Sequence, residues 1–193
     1  LKISEACFAA ACPIHEQGTY CSLTNTDWDV DPKKIIKKTG LPSIALINDF
    51  EAIAYGLEVV PEGDLVLVKK GQDVPKKPKI LLGAGTGLGK SILIWNREEK
   101  KYFPLESEGG HADVVIYNSR ELELIAFIRK LHQISNITWE YVLSGQGLSN
   151  IYRFLELKLP KTKHSKEIEE ADYDAKLISK YCKIDNNCRE TFR

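Results

Sequence analysis

The sequence predicts an α/β protein with strands and helices mixed, and three observations carry that expectation. Ile44-Ala45-Leu46-Ile47 is a short, continuously apolar run that passes at Asn48-Asp49 straight into Phe50, Ile53, Ala54 and Leu57, spaced like the apolar face of a helix. A glycine-rich stretch, Gly83 to Gly89, is flanked by β-branched and aromatic residues. The C-terminal half then turns to helical periods, as in Ala171, Ala175, Ile178 and Tyr181.

The 193 residues suit one large domain or two small ones, and 43% hydrophobic content supports a core without disulfide or metal clips. Twenty-seven basic residues against 27 acidic ones give zero formal charge, so the footprint of a dedicated nucleic-acid binder is missing. The longest nearly uncharged run, Ile80 to Trp95, is broken by Lys90 and rich in glycine. A membrane span needs roughly 20 apolar residues, so none is expected, and no basic-then-apolar signal opens the chain. The five cysteines, Cys7, Cys12, Cys21, Cys182 and Cys188, are an odd count with no C-x-x-C pair. Free thiols in a reducing compartment are expected, not a disulfide framework. His15, His111, His132 and His164 lie away from the cysteines, which speaks against a structural zinc. There is no methionine and the chain begins at Leu1, so a piece of a longer protein is expected.

In chain order, Cys7 to Cys12 reads as a strand closed by Pro13, with Gly18 to Leu23 as its return strand in a hairpin. Asp31-Pro32 starts a helix and Gly40 stops it. Ile44 to Ile47 is expected to be a strand buried on both faces. Pro61-Glu62-Gly63 is a candidate hinge or domain boundary, Leu65 to Val68 a candidate strand, and Lys69 to Lys79 a solvated loop. That basic run has no interleaved aromatics and takes no nucleic-acid role. Ile80 to Leu82, Ser91 to Trp95 and Tyr102-Phe103 follow as strands, then helices near Ser119 to Leu131, Thr138 to Leu143, Gly147 to Leu157 and Lys166 to Tyr181.

The glycine stretch Gly83-Ala84-Gly85-Thr86-Gly87-Leu88-Gly89-Lys90-Ser91 lets a backbone turn sharply with its N–H groups aimed at an anion. A P-loop needs glycine, four residues, then Gly-Lys-Ser/Thr, and Ala84 stands where the first glycine should. Context also opposes it. A P-loop lysine opens a helix, whereas Ser91-Ile92-Leu93-Ile94-Trp95 and the turn Asn96 to Lys101 read as a hairpin. A phosphate cradle between two hairpin strands competes with a purely structural glycine turn, and no G-x-G-x-x-G of the Rossmann kind occurs.

Asn48-Asp49 stands at the carboxyl end of a strand, where open α/β sheets place ligands. Both residues would also serve the helix start, Asn48 as N-cap with Glu51 three residues on. Asp49 is a candidate general base. Glu108-Gly109-Gly110-His111 puts a carboxylate and an imidazole around a glycine pair; a metal set of Glu108, His111 and Asp113 would lack a fourth ligand. Glu140, before Tyr141-Val142-Leu143-Ser144-Gly145, taken alone reads as a solvated helix residue.

Together, I-N-D-F at Ile47 to Phe50, G-A-G-T-G-L-G at Gly83 to Gly89, E-G-G-H at Glu108 to His111 and E-Y-V-L-S-G-Q-G-L at Glu140 to Leu148 resemble the bacterial-type glucokinase family. T-N-T-D-W at Thr24 to Trp28 is similar as well. The resemblance implies an actin-like ATPase (ribonuclease H-like) sugar-kinase fold, two lobes around a cleft. Residues 1–60 would belong to the small lobe without its N-terminal strand pair, and 61–193 to the large lobe without its C-terminal portion. It implies transfer of the ATP γ-phosphoryl group to the 6-hydroxyl of glucose, with Asp49 as base and Asn48, Asp49, Glu108, His111 and Glu140 on the sugar. Gly83, Gly85, Thr86 and Gly87 would meet the nucleotide phosphates, with ATP and Mg²⁺ as cofactors and no protein metal site. A cytoplasmic protein is expected, with glucose and ATP as partners, a homodimer as the family's common assembly, and neither nucleic acid nor membrane. The Asp-x-Gly-Gly-Thr loop and the later adenosine segment of the family are absent from these residues, and Lys90 follows the phosphate loop where an apolar residue is expected. The chain alone is therefore expected to be a poor kinase; a non-catalytic sugar-binding relative and a P-loop NTPase are the competing readings.

Overall fold

The computed structural model describes residues 3–12, 14, 20–23, 28–72 and 74–193. The chain opens with strand β1 (Ala6–Ala10), the short strands β2 (Cys21–Ser22) and β3 (Asp29–Val30), helix α1 (Pro32–Thr39), strand β4 (Ile44–Asn48) and helix α2 (Asp49–Gly56). A three-stranded meander follows: β5 (Lys79–Ala84), β6 (Leu88–Asn96) and β7 (Lys101–Ser107), adjacent in that order. Five helices complete the described chain: α3 (Ser119–His132), α4 (Gly145–Glu156), α5 (Ser165–Glu170), α6 (Ala175–Tyr181) and α7 (Asn186–Thr191).

Local chemistry explains the helix ends. Asp31 caps α1 by accepting from the Lys33 and Lys34 N–H groups, and Gly40 closes it with φ of 73°, a backbone state that a side chain would penalise. β1 pairs with β4 in parallel, Ala6 opposite Ile44 and Ala10 opposite Asn48. A parallel pair needs a long crossover, and α1 lies within the connection. This corrects the expected hairpin: β2 pairs instead with β3, antiparallel, and residues 15–19 lie outside the described chain. β4 is not buried on both faces either. Leu46 and Asn48 point inward while Ala45 is exposed, the alternation of a sheet covered on one side.

Cys12 and Cys21 are joined as a disulfide with Cα atoms 6.1 Å apart, contrary to the expectation of five free thiols. Their sequence separation of nine matches no short cysteine motif, and folding of β1 and β2 brings them within bonding range. Leu65 to Val68 forms no strand: it has no partner among the described residues, and Val66 and Val68 are 87% and 94% exposed. The span expected as one helix from Lys166 to Tyr181 breaks into α5 and α6 at Asp172 and Tyr173, whose φ values are 50° and 60°. Between Thr138 and Leu143 only a 3₁₀ turn forms, Trp139–Tyr141.

The chain divides into two compact units, Leu1–Leu81 with Ser91–Ser107, and Leu82–Lys90 with Glu108–Arg193. In the first, Ala10, Cys12, Cys21 and Leu46 make one buried cluster, and Ala54, Leu93 and Tyr102 another. In the second, Ile125, Ile128 and Ile137 pack together, and Tyr152, Ile168, Ile178 and Cys188 form a further core. Burial pushes the Cys188 thiol up to about 12, with Asp185 adding to the rise, so it is an inert core group.

Candidate functional site

In the first unit, β4 ends and α2 begins at Asn48-Asp49 without an intervening loop. The Asn48 Oδ1 accepts from the N–H groups of Phe50 (2.9 Å) and Glu51 (3.3 Å), and its Nδ2 donates to the Cys12 carbonyl at 3.2 Å. The cap therefore fixes the orientation of the Asn48 amide. Asp49 is half-buried, and its Oδ1 shares the Phe50 N–H at 2.9 Å, which orients the carboxylate. Beside it, burial raises the pKa of the Glu51 carboxyl; the Asn48 N–H opposes the rise and Glu106 adds to it.

The second unit holds the glycine loop. Gly83 lies near the end of β5, and Gly85, Thr86 and Gly87 form the turn into β6. Gly85 donates to the Gly87 carbonyl at 2.9 Å, and the Gly145 N–H, at the start of α4, donates to the Gly85 carbonyl at 2.8 Å. Lys90 and Ser91 lie inside strand β6, so no helix opens at this lysine and the P-loop reading is overturned. The loop is a hairpin turn.

A second turn, Gly109–His111, follows β7. His111 Nε2 lies 3.5 Å from Glu108 Oε2, and both side chains are largely exposed, at 59% and 62%. A Cβ on Gly110 would collide with the Leu88 carbonyl, so only glycine lets this turn press against the end of the loop. The Trp139 N–H donates to the Ala112 carbonyl at 3.0 Å and Asp113 bridges Thr138, which holds the turn Trp139–Tyr141 alongside. From that turn half-buried Glu140 reaches back: its Oε2 accepts the Leu88 N–H at 2.9 Å. The Ser144 hydroxyl donates to the Glu140 carbonyl at 2.7 Å and caps α4 by accepting from Gly147 at 3.1 Å.

Of the expected site residues, Asn48 and Asp49 belong to the first unit, and Gly83, Gly85, Thr86, Gly87, Glu108, His111 and Glu140 to the second. Within the second unit, Gly87 and Glu140 touch directly, and Leu88 joins both to Gly110. Sequence reasoning missed the Leu88 backbone and Gly145; their signal is long-range and has no local pattern. A cavity of about 1490 Å³ opens beside the loop, lined by Gly85, Thr86, Ser144, Gly145, Lys176 and Lys180 among others. Thr24 to Asp27 lie outside the described residues, and Trp28 is exposed. Among the described residues no three His, Cys, Asp or Glu side chains cluster to hold a metal, and no helix is long and apolar enough to cross a membrane.

The Glucokinase family model matches residues 1–192. The chain belongs to the glucokinase family. A glucokinase from Nostoc sp. is 39% identical over 151 residues, covering 78% of this chain and 43% of that protein. One from Yersinia pestis is 34% identical over 170 residues, covering 86% and 51%. The chain thus spans about half the length of the relatives it matches. Among solved structures, a glucokinase from an Antarctic psychrotroph superposes with a TM-score of 0.70 at 26% identity, over 96% of this chain and 54% of that one. A Balamuthia mandrillaris glucokinase solved in complex with glucose gives 0.72 at 20% identity, over 97% and 56%, a likeness of fold alone. The α/β architecture is that of the glucokinase fold.

Proposed function

We propose that this chain carries the sugar-binding and phosphate-loop residues of an ATP-dependent glucokinase. The observation that carries the reading is the contact in one unit between the glycine hairpin and Glu140, with Gly110 of the E-G-G-H turn packed on the same Leu88. Two motifs assigned to different substrates meet at one residue. Asn48, Glu108, His111 and Glu140 supply hydrogen-bonding groups to the hexose hydroxyls, and a hydroxyl missing from the sugar leaves one of them unpaired. Asp49 takes the proton of the 6-hydroxyl as that oxygen attacks the γ-phosphorus; the bond from the γ-phosphorus to the β–γ bridging oxygen breaks and ADP leaves.

Because Gly85 already gives its N–H to Gly87, the phosphates meet the Thr86 and Gly87 N–H groups and the Thr86 hydroxyl. The cavity beside the loop has room for the rest of the nucleotide, and Lys176 and Lys180 on its wall suit an anion. The described residues form no cage for Mg²⁺, which enters as part of the MgATP substrate. Residues 1–60 and 61–193 as portions of a small and a large lobe, a cytoplasmic location and a homodimer complete the proposal.

The test is transfer from radiolabelled ATP to glucose, with and without Asp49→Ala. Sugar phosphate forming slowly with the native chain and falling about 100- to 10,000-fold in the variant supports the reading. Saturable glucose binding without any transfer would favour a non-catalytic sugar binder.

A further inference from the structure

Glu140 meets the glycine loop at a place where any side chain on Gly87 would push its carboxylate aside. A Cβ on Gly87 would collide with Glu140 Oε2 and stand 3.1 Å from its Cδ, while Oε1 lies farther off at 3.7 Å. The carboxylate thus fills the space that a side chain at Gly87 would need. One residue on, the same Oε2 holds the Leu88 N–H at 2.9 Å, and the Leu88 carbonyl is pressed against Gly110, beside His111. Leu88 is gripped on one edge by Glu140 and on the other by the turn that carries Glu108 and His111.

We propose that Glu140 is a positioning residue that couples sugar occupancy to the geometry of the phosphate loop, Oε1 taking a sugar hydroxyl while Oε2 holds Leu88 and supports Gly87. The inference rests on the reading of Glu140 as a sugar ligand and adds a second role to the same carboxylate. Without a sugar, the Leu88 N–H is the hydrogen bond that holds the Glu140 rotamer. A sugar hydroxyl on Oε1 selects the same rotamer, which keeps Oε2 under Leu88, and the Thr86 and Gly87 N–H groups are then held ready for phosphate. By linkage, the nucleotide tightens the sugar to the same degree.

Amide hydrogen exchange at Leu88, followed by NMR with and without saturating glucose, tests the idea, with calorimetry of glucose on the same samples. Glucose should slow the Leu88 amide by roughly 5- to 150-fold, the usual span of a coupling between sites. In Glu140→Ala the amide should exchange fast in all conditions, and Glu140→Gln, which can still accept the Leu88 N–H, should restore protection without glucose. Gly87→Ala, which displaces the carboxylate from a position that touches no sugar, should weaken glucose binding. Glucose binding to the native chain with no change at Leu88 overturns the coupling and leaves the sugar site standing. No glucose binding at all overturns both.

Discussion

The β4–α2 junction and the glycine hairpin are both short polar turns leaving a strand, yet they are held in different ways. At the junction the cap itself is local: the Asn48 amide oxygen serves Phe50 and Glu51, two and three residues on, while its Nδ2 reaches Cys12 and its backbone pairs opposite Ala10. At the hairpin the decisive restraints come from far away in sequence, Glu140 onto Leu88 across 52 positions and Gly145 onto Gly85. The helix start orients the Asp49 carboxylate mainly through its own neighbour, the Phe50 N–H. A glycine loop has few side chains of its own to hold it, so its shape depends on what packs on it. On the coupling proposed above, the second arrangement responds to a ligand bound elsewhere in the unit, whereas the first does not.

The sharpest way to break this contrast is Gly87→Ala. The new methyl group pushes the Glu140 carboxylate aside and strips the Leu88 N–H of its acceptor, which should cost about 1–3 kcal/mol of stability in urea unfolding and weaken nucleotide binding. Native-like stability and affinity would mean that the hairpin does not depend on the carboxylate.

Asp185 is an intermediate case, local and long-range at once. Its Oδ1 caps α7 at the Cys188 N–H (3.1 Å) and its Oδ2 meets His164 Nδ1 at 3.0 Å. Burial alone would raise its pKa, but hydrogen bonds from Thr162, the Cys188 N–H and His164 outweigh burial and hold it below the ordinary 3.8. A depressed carboxyl stabilises the fold above its unfolded value and loses that contribution as pH falls through the folded one. Asp185→Asn should therefore be less stable than the native chain by about 1–3 kcal/mol at pH 7, with the gap closing in acid below 3.8. A gap independent of pH would assign the effect to packing.

Asn48→Ala should cost about 1 kcal/mol, the usual value of an N-cap, measured by thermal unfolding. In the absence of glucose it should leave Leu88 exchange unchanged; a change there would erase the distinction between the two regions.

The same contrast explains how much could be read in advance. The β4–α2 unit, the α1 caps, and β6 and β7 with their hairpin were legible because each rests on residues within a few positions. Asn48 was legible as a cap for the same reason, and the four motifs carried the family. The parallel pairing of β1 with β4, the Cys12–Cys21 bond and the grip of Glu140 on Leu88 were not legible, since each joins residues that only folding brings together. Leu65 to Val68 failed in the opposite sense: its strand-like pattern finds no partner among the described residues. The break at Asp172-Tyr173 was hidden because the apolar spacing of Ala171, Ala175, Ile178 and Tyr181 runs across it and Tyr173, at φ 60°, is not a turn residue by type, although Asp172 is.

The most direct test of the account is a calorimetric titration of glucose into the folded chain, repeated with Glu108→Ala and His111→Ala. Saturable binding weakened at least about tenfold by each substitution, with circular dichroism unchanged, is the expected result. A folded chain that binds ATP but not glucose, or binds glucose equally well without Glu108 and His111, would contradict it.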